Sequence, residues 1–447
     1  MNAGLVVRGG TLVTPAGLLR ADLRIWDDAI AEIGPELSGE YTIDATGLHV
    51  FPATIDVHLH FNEPGRAEWE GAATGSRALA AGGGAAFFDM PLNSTPCTLN
   101  AREFDRKRAA LQAASIADFG IWGGIVPGNR DEMAELADRG VVGFKAFLCD
   151  SGLPEFPRAD DFTFWEALVE ARRLDLPVSV HAESEEITKG LGNRLSFQGG
   201  SAIGQFLQAR PVLAELEAIQ RATFLAGEAG ARLHIVHISC GRGVVLAAEA
   251  RARGVDVTIE TCPHYLSFTQ GDLERLGALG KCAPPLRLPA EQEGLWAELL
   301  RGTVDIVASD HSPAPPEMKT GDFRSAWGGI AGVQSTLAVL LERGYFQRGL
   351  PLPGIAKLLA ANPASRFRIA RKGRIAVGFD ADLAFVDLGA SSILRAENLA
   401  QRHPLSPYLG ESFRGVVRKT LRRGETIYAD GNFPTPTTGR LVRPERK

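Results

Sequence analysis

The chain has 447 residues, of which 45% are hydrophobic and 23% are charged, with a formal net charge of −5. The weak acidic balance excludes the basic surface that nucleic acids or anionic membranes require, so we expect a small-molecule substrate and no nucleic-acid or membrane partner. No apolar run approaches the roughly 18 residues of a membrane span. The N-terminus lacks a signal-peptide pattern, and the five cysteines are sparse, as in reduced cytoplasmic proteins.

The two ends of the chain predict short β-strands. Residues 1–52 alternate apolar and polar positions between turn residues, as in LVVRGGTLVTPAGLLRADLRIW. Residues 371–447 repeat this pattern in RIAVGFDADLAFVDL and VVRKTLRRGETIYAD. We therefore expect both ends to meet in one small, discontinuous β-domain.

The middle of the chain, residues 53–370, alternates short apolar runs with helix-length segments such as AREFDRKRAALQAA. Near-continuous apolar runs separated by helices are typical of buried parallel strands with crossover connections. Eight of them predict an α/β fold, a (β/α)8 TIM barrel of about 320 residues. In chain order the runs are ATIDVHLH, GGAAFFDMP, DFGIWGGIV, VVGFKAFL, PVSVHAE, RLHIVHIS, DVTIETCP and DIVASDH.

Polar residues that can bind metal ions interrupt these runs where the strands would end. In TIM barrels the active site lies at the carboxyl ends of the strands, so side chains at these positions converge. The residues concerned are His58, His60, Lys145, His181, His237 and Asp310.

Each of these residues taken singly has an ordinary explanation. A histidine on an apolar run is usually a hydrogen-bonded core residue, a lysine in a strand usually lies on an edge, and an aspartate commonly caps a helix. His234, three residues before His237, is expected to face the opposite side of its strand, under a helix. The occurrence of six such residues at strand ends favours a metal site.

The residue types of this set indicate two divalent metal ions. Imidazole and carboxylate groups bind zinc, with cobalt or manganese as alternatives. A protonated lysine would repel the cations, so Lys145 must be neutral or modified. Addition of CO₂ from bicarbonate gives N6-carboxylysine, a carbamate whose two oxygens can bridge two metals. The expected ligands are His58, His60 and Asp310 for one ion, His181 and His237 for the other, and the Lys145 carbamate for both.

This set of groups predicts hydrolysis of an amide. A metal pair lowers the pKa of bound water and polarises a carbonyl group. Asp310 would be the catalytic residue that takes a proton from the water and delivers it to the leaving nitrogen.

The motifs DVHLHFNEPGR, GFKAF, VSVHAE, LHIVHIS and VASDHSP together resemble those of the cyclic amidohydrolases, which include dihydroorotases, hydantoinases and allantoinases. The resemblance spans essentially the whole chain. It implies a binuclear metal centre with a carbamylated lysine, a TIM barrel with a small β-sandwich domain, and a homotetramer.

Within that family, HFNEPGR, DMPLNSTP, ARPVLAELEAI, DHSPAPPEMK and AWGGIAGVQS most resemble the members that open the ring of allantoin to give allantoate. Dihydroorotases carry arginine where this chain has Asn62, and a neutral amide suits an uncharged ring better than an anionic one. The resemblance implies substrate contacts from Asn62, Asn93, Ser151, Ala283 and Gly328. The alternatives are a hydantoinase, dihydropyrimidinase or dihydroorotase activity on another cyclic amide, and, more distantly, a metal-free scaffold relative.

Overall fold

The computed structural model describes residues 4–196, 199–434 and 438–445, so the extreme ends of the two predicted terminal segments lie outside it. The N-terminal segment forms short strands, as its alternating pattern predicts. These strands are β1 Leu5–Arg8, β2 Thr11–Thr14, β3 Gly17–Arg20, β4 Asp22–Trp26, β5 Ala29–Gly34, β6 Tyr41–Asp44 and β7 His49–Pro52.

The middle of the chain forms a TIM barrel, and every barrel strand falls within one of the predicted apolar runs. Neighbouring strands pair in parallel, and Trp122 interrupts one strand, giving the halves β10 and β11. Leu59 pairs in parallel with His311, which joins the first strand to the segment after the last. The strands are β8 Thr54–Leu59, β9 Gly84–Asp89, β10 Asp118–Ile121, β11 Gly123–Gly124, β12 Phe144–Phe147, β13 Val178–His181, β14 Leu233–Ile235, β15 Val257–Thr261 and β16 Ile306–Val307.

The helices lie between these strands, and several of them begin or end at residues that favour helix capping. Asn100 and Asp160 cap α2 and α4 through their side chains, and α7 ends at Gly230 in the left-handed conformation. No helix among the described residues is long and apolar enough to cross a membrane. The helices are α1 Ala72–Ala81, α2 Ala101–Ala114, α3 Met133–Arg139, α4 Asp161–Arg173, α5 Glu185–Ser196, α6 Ala202–Ala209, α7 Val212–Ala229, α8 Gly241–Ala252, α9 Pro263–Ser267, α10 Leu273–Leu276, α11 Pro289–Arg301, α12 Thr336–Val339, α13 Leu352–Ala356 and α14 Asn362–Arg366.

The C-terminal strands join the N-terminal ones. They are β17 Leu383–Ile393, β18 Ser412–Arg422 and β19 Glu425–Ala429. One sheet has the order β19-β18-β17-β7-β2-β3, and the other has the order β5-β4-β1-β6. Both sheets contribute buried side chains to one apolar cluster, for example Val7 and Ile25 from the second sheet and Val50 and Phe385 from the first.

The interior of the barrel is filled by apolar side chains. Val57, Phe88, Trp122, Val142 and Ile306 belong to one buried cluster there. Because this core excludes water from the middle of the barrel, the polar residues at the carboxyl ends of the strands form the floor of the accessible cavity.

A buried ion cluster links the barrel to the C-terminal segment. The Lys372 ammonium contacts Asp118 of β10 at 2.8 Å, Asp380 at 3.1 Å and Asp382 at 2.5 Å. Burial alone would lower the pKa of Lys372, but Asp382 and Asp118 raise it above its ordinary value. Lys372 therefore lies at the centre of this cluster as a buried cation in contact with all three carboxylates.

We expect the substitution Lys372→Met to lower the free energy of unfolding by about 3–5 kcal/mol, because it leaves buried carboxylates without their central cation. Urea unfolding followed by circular dichroism would measure this loss, with Lys357→Met on the exposed surface as the matched control. A loss below about 1 kcal/mol would mean that Arg423, which also contacts Asp118 at 2.8 Å, is sufficient alone.

Candidate metal centre and active site

His58 and His60 lie at the end of the first barrel strand, and both are buried. His58 donates from Nδ1 to Glu260 Oε1 at 2.8 Å, which leaves its Nε2 facing Asp310 Oδ1 at 3.2 Å. His60 donates from Nδ1 to the carbonyl oxygen of Leu92 at 3.4 Å, and its Nε2 lies 3.6 Å from the same Asp310 oxygen. A hydrogen bond at one ring nitrogen fixes the other as a potential metal ligand.

His181 and His237 form a second pair beside the first. Their facing ring nitrogens, Nδ1 of His181 and Nε2 of His237, are 3.0 Å apart. His181 Nε2 donates to Glu183 at 2.8 Å, whereas His237 Nδ1 is buried without a partner among the described residues. The His58 and His237 ring centroids are 5.4 Å apart, so the two pairs form one cluster.

Several of these residues adopt a backbone conformation that is uncommon for residues other than glycine. The φ angle is 40° at His237 and 45° at Asp310, and Asn62 and Asn93 have φ values of 63° and 69°. A residue other than glycine keeps a left-handed backbone only where the surrounding structure holds it in that conformation. Such residues are common at functional sites. Here they turn the chain at the strand ends.

Lys145 lies in β12, which is paired on both sides, so it is not an edge residue. Its side chain is buried, and its Nζ has no hydrogen-bond partner in the described structure. Burial lowers the pKa of Lys145 from 10.5 to about 8, although Asp310 and Glu260 oppose the shift. The positive charge of Lys145 acts to lower the pKa of His58, His181 and His237, which places the amine among these histidines.

The electrostatics favour the protonation states that bind metal ions. Burial lowers the pKa of His58, His181 and His237, so these imidazoles are neutral. Burial acts to raise the pKa of Asp310, but His58 and the hydrogen bond with His60 hold it far below its ordinary value. His58, His60 and Asp310 offer ligand atoms that all lie within 4.8 Å of one another. Neutral imidazoles, an ionised carboxylate and an unpartnered amine fit a divalent metal centre.

A cavity of about 410 Å³ opens above this cluster. Of the predicted substrate contacts, Asn93, Ser151, Ala283 and Gly328 line it. Asn62 does not; it is buried, its amide nitrogen lies 3.4 Å from the carbonyl oxygen of Pro313, and its Oδ1 has no partner among the described residues.

Comparisons with known proteins agree with this geometry. The model of the Amidohydrolase family matches residues 49–427. The allantoinase of Solibacter usitatus is 62% identical over 98% of this chain and 97% of its own length. The allantoinase of Deinococcus radiodurans is 54% identical over 99% of both chains. The chain belongs to the amidohydrolase family.

A solved structure supports the same assignment at the level of the fold. The L-hydantoinase (dihydropyrimidinase) from Arthrobacter aurescens superimposes on this amidohydrolase with a TM-score of 0.96 and 32% sequence identity, covering 99% of this chain and 100% of the other. The barrel and both terminal segments therefore have counterparts in that enzyme.

The site of this amidohydrolase contains residues that sequence reasoning missed. Glu260 accepts hydrogen bonds from the His58 ring, from the His234 ring at 2.9 Å and from the His237 backbone at 3.1 Å. Burial opposes ionisation of Glu260, but His58 and His234 lower its pKa to about 2. An acid inside the apolar run DVTIETCP was a signal for this role. Arg210, which pairs with Glu183 and lines the cavity, has no such signal.

The prediction for His234 was wrong. Because His234 shares Glu260 with His58, it lies inside the barrel below the site and not under a helix. The left-handed turn at His237 breaks the alternation of strand faces that the prediction assumed.

Proposed function

We propose that this amidohydrolase opens the hydantoin ring of allantoin by hydrolysis to give allantoate. The observation that carries the proposal is the convergence of four histidines, Asp310 and the unpartnered Lys145 beneath one cavity. Cleavage of a cyclic amide requires an activated water and a proton donor for the leaving nitrogen, and this cluster contains groups for both. The choice of allantoin rests on the allantoinases that share 62% and 54% of this sequence.

We propose a binuclear site with two divalent ions. His58, His60 and Asp310 would hold one ion, His181 and His237 the other, and N6-carboxylysine at Lys145 both. The nitrogen and oxygen donors suit Zn²⁺, Co²⁺ or Mn²⁺. When bound, the ions would lower the pKa of water and polarise the substrate carbonyl group.

Asp310 is the residue we assign to proton transfer. Its carboxylate is ionised and lies against His58 and His60, so it can accept a proton from the attacking water. The protonated form then donates to the ring nitrogen as the amide bond breaks. Asn93 and Ser151, together with the backbone near Ala283 and Gly328, would orient the neutral ring, since all of them line the cavity.

We propose the domain boundaries 53–370 for the barrel and 1–52 with 371–447 for a β-sandwich domain. The shared apolar cluster between the two terminal sheets supports this division. The homotetramer expected from the family stays a prediction, which the mass of the protein in solution would test.

The test is a substrate panel with metal analysis on the same sample. We expect allantoin to be converted to allantoate with close to two ions per chain, and chelation to remove activity that zinc and bicarbonate restore. Turnover of hydantoin or dihydropyrimidines without turnover of allantoin would instead favour the hydantoinase alternative, to which the likeness with the L-hydantoinase fold points. Turnover that survives complete removal of metal would contradict the binuclear site.

A further inference from the structure

One wall of the cavity is an irregular segment, residues 322–329, called here the wall segment. Arg324, Ala326, Trp327 and Gly328 are among its members that line the cavity. The segment contains neither a helix nor a strand. Its backbone carbonyl groups therefore need hydrogen-bond donors from elsewhere if they are to be held in one place.

Lys281 supplies three of these donors. Its buried ammonium group donates to the carbonyl oxygens of Phe323 at 2.8 Å, Arg324 at 3.1 Å and Ala326 at 2.7 Å. An ammonium group has three donors and no acceptor, so this set satisfies it fully. The same ammonium lies 5.1 Å from the Phe323 ring centroid and 5.5 Å from that of Phe206 on α6.

Lys319 also donates hydrogen bonds to three backbone carbonyl groups. Its ammonium donates to the carbonyl oxygens of Ala278 at 3.1 Å, Trp327 at 2.9 Å and Gly329. Ala278 lies in the short helical turn Gly277–Gly280 that follows α10, so Lys319 ties the wall segment to that turn. The two lysines together bind the carbonyl groups of five of the eight residues in the wall segment.

The wall segment also contacts the loop between β8 and α1, and helix α6. The ring centroids of Trp327 and Trp69 are 4.9 Å apart in an edge-to-face arrangement. The Arg66 guanidinium carbon lies 5.1 Å from the Trp69 ring centroid. On the α6 side, Arg324 donates to Gln205 at 3.0 Å. A displacement of the wall segment would therefore change the shape of the cavity on two sides.

We propose that Lys281 and Lys319 are positioning residues, which hold the wall segment against the cavity and so set the affinity for substrate without entering the chemical step. Neither lysine is among the proposed metal ligands, and Lys281 itself lines the cavity. Each lysine directs its terminal amine at three backbone carbonyl oxygens, so the two side chains together can order an irregular segment that lacks its own ladder of hydrogen bonds. The inference rests on the proposed function for its choice of substrate.

The test compares Lys281→Met and Lys319→Met with the surface variant Lys357→Met. We expect KM for allantoin to rise about tenfold in each of the first two, since hydrogen bonds that order the binding surface are lost, while kcat changes by less than about threefold. The metal content should equal that of the unsubstituted protein. Amide hydrogen exchange should become faster in residues 320–330 and stay unchanged in the barrel strands.

Two results would contradict the proposed role of the lysines. Unchanged KM and unchanged exchange in the wall segment would overturn the proposal, and so would a fall in kcat that accompanies loss of metal. If a methionine variant does not fold, Lys281→Gln and Lys319→Gln retain two donors and should give intermediate shifts in KM and exchange. If the unsubstituted protein does not hydrolyse allantoin, the proposed function fails, but hydrogen exchange still tests the lysines.

Discussion

Asp310→Asn should lower kcat by about 10³-fold, because the amide can neither take a proton from water nor deliver one to the leaving nitrogen. Asparagine retains the size of the side chain and one oxygen that can face His58 and His60, so the fold should be preserved. Steady-state hydrolysis of allantoin, with metal content measured on the same preparation, would separate loss of proton transfer from loss of metal. Substantial activity in this variant would remove Asp310 from the catalytic role.

The same barrel strand offers a matched control for this experiment. Asp305 lies just before β16, at the opposite end of the strand from Asp310, where it pairs with Arg251 at 2.5 Å and accepts from the Ile259 backbone at 2.8 Å. Asp305→Asn removes the same charge far from the cavity, so it should affect stability but leave kcat within about threefold. An equal loss of activity in both variants would indicate damage to the strand itself.

Much of the fold could be predicted because local pattern and global topology agree in this chain. Each of the eight apolar runs was long enough to identify a buried strand, and parallel strands with crossover helices have few ways to pack. The strand ends then located the ligand candidates, since carboxyl ends of parallel strands share one face of a barrel. His58 and Asp310, 252 residues apart in sequence, come within 3.2 Å for this reason.

What could not be predicted depends on side chains that meet through irregular backbone. The face of the strand on which His234 lies could not be inferred from its spacing to His237, because His237 has a left-handed φ that strand periodicity does not specify. Arg210 reaches Glu183 from the end of α6, and Lys281 reaches the carbonyl oxygen of Phe323, which is 42 residues away in the sequence. No spacing rule connects such pairs, so only the folded structure reveals them.

Lys145→Arg should abolish hydrolysis and reduce the metal content below two ions per chain, because arginine keeps the positive charge but does not form the carbamate. The buried, unpartnered amine of Lys145 is the feature that supports carbamylation, in which the neutral amine adds CO₂ and releases a proton. With its pKa lowered to about 8, about a tenth of the lysine is neutral at pH 7. An ordinary lysine would be neutral in well under about a thousandth of the molecules at that pH.

This pKa also predicts how reactivation of the metal-free protein depends on pH. The reactive form is the neutral amine, whose fraction grows as pH rises through the pKa, so the rate of recovery with zinc at a fixed concentration of dissolved CO₂ should increase from pH 6 and level off above about pH 9. Recovery of hydrolysis after chelation would measure it, with CO₂-free buffer as the control. Lys145→Arg should not recover under any of these conditions. If the unsubstituted protein recovers equally well without CO₂, the bridging role of the Lys145 carbamate is wrong.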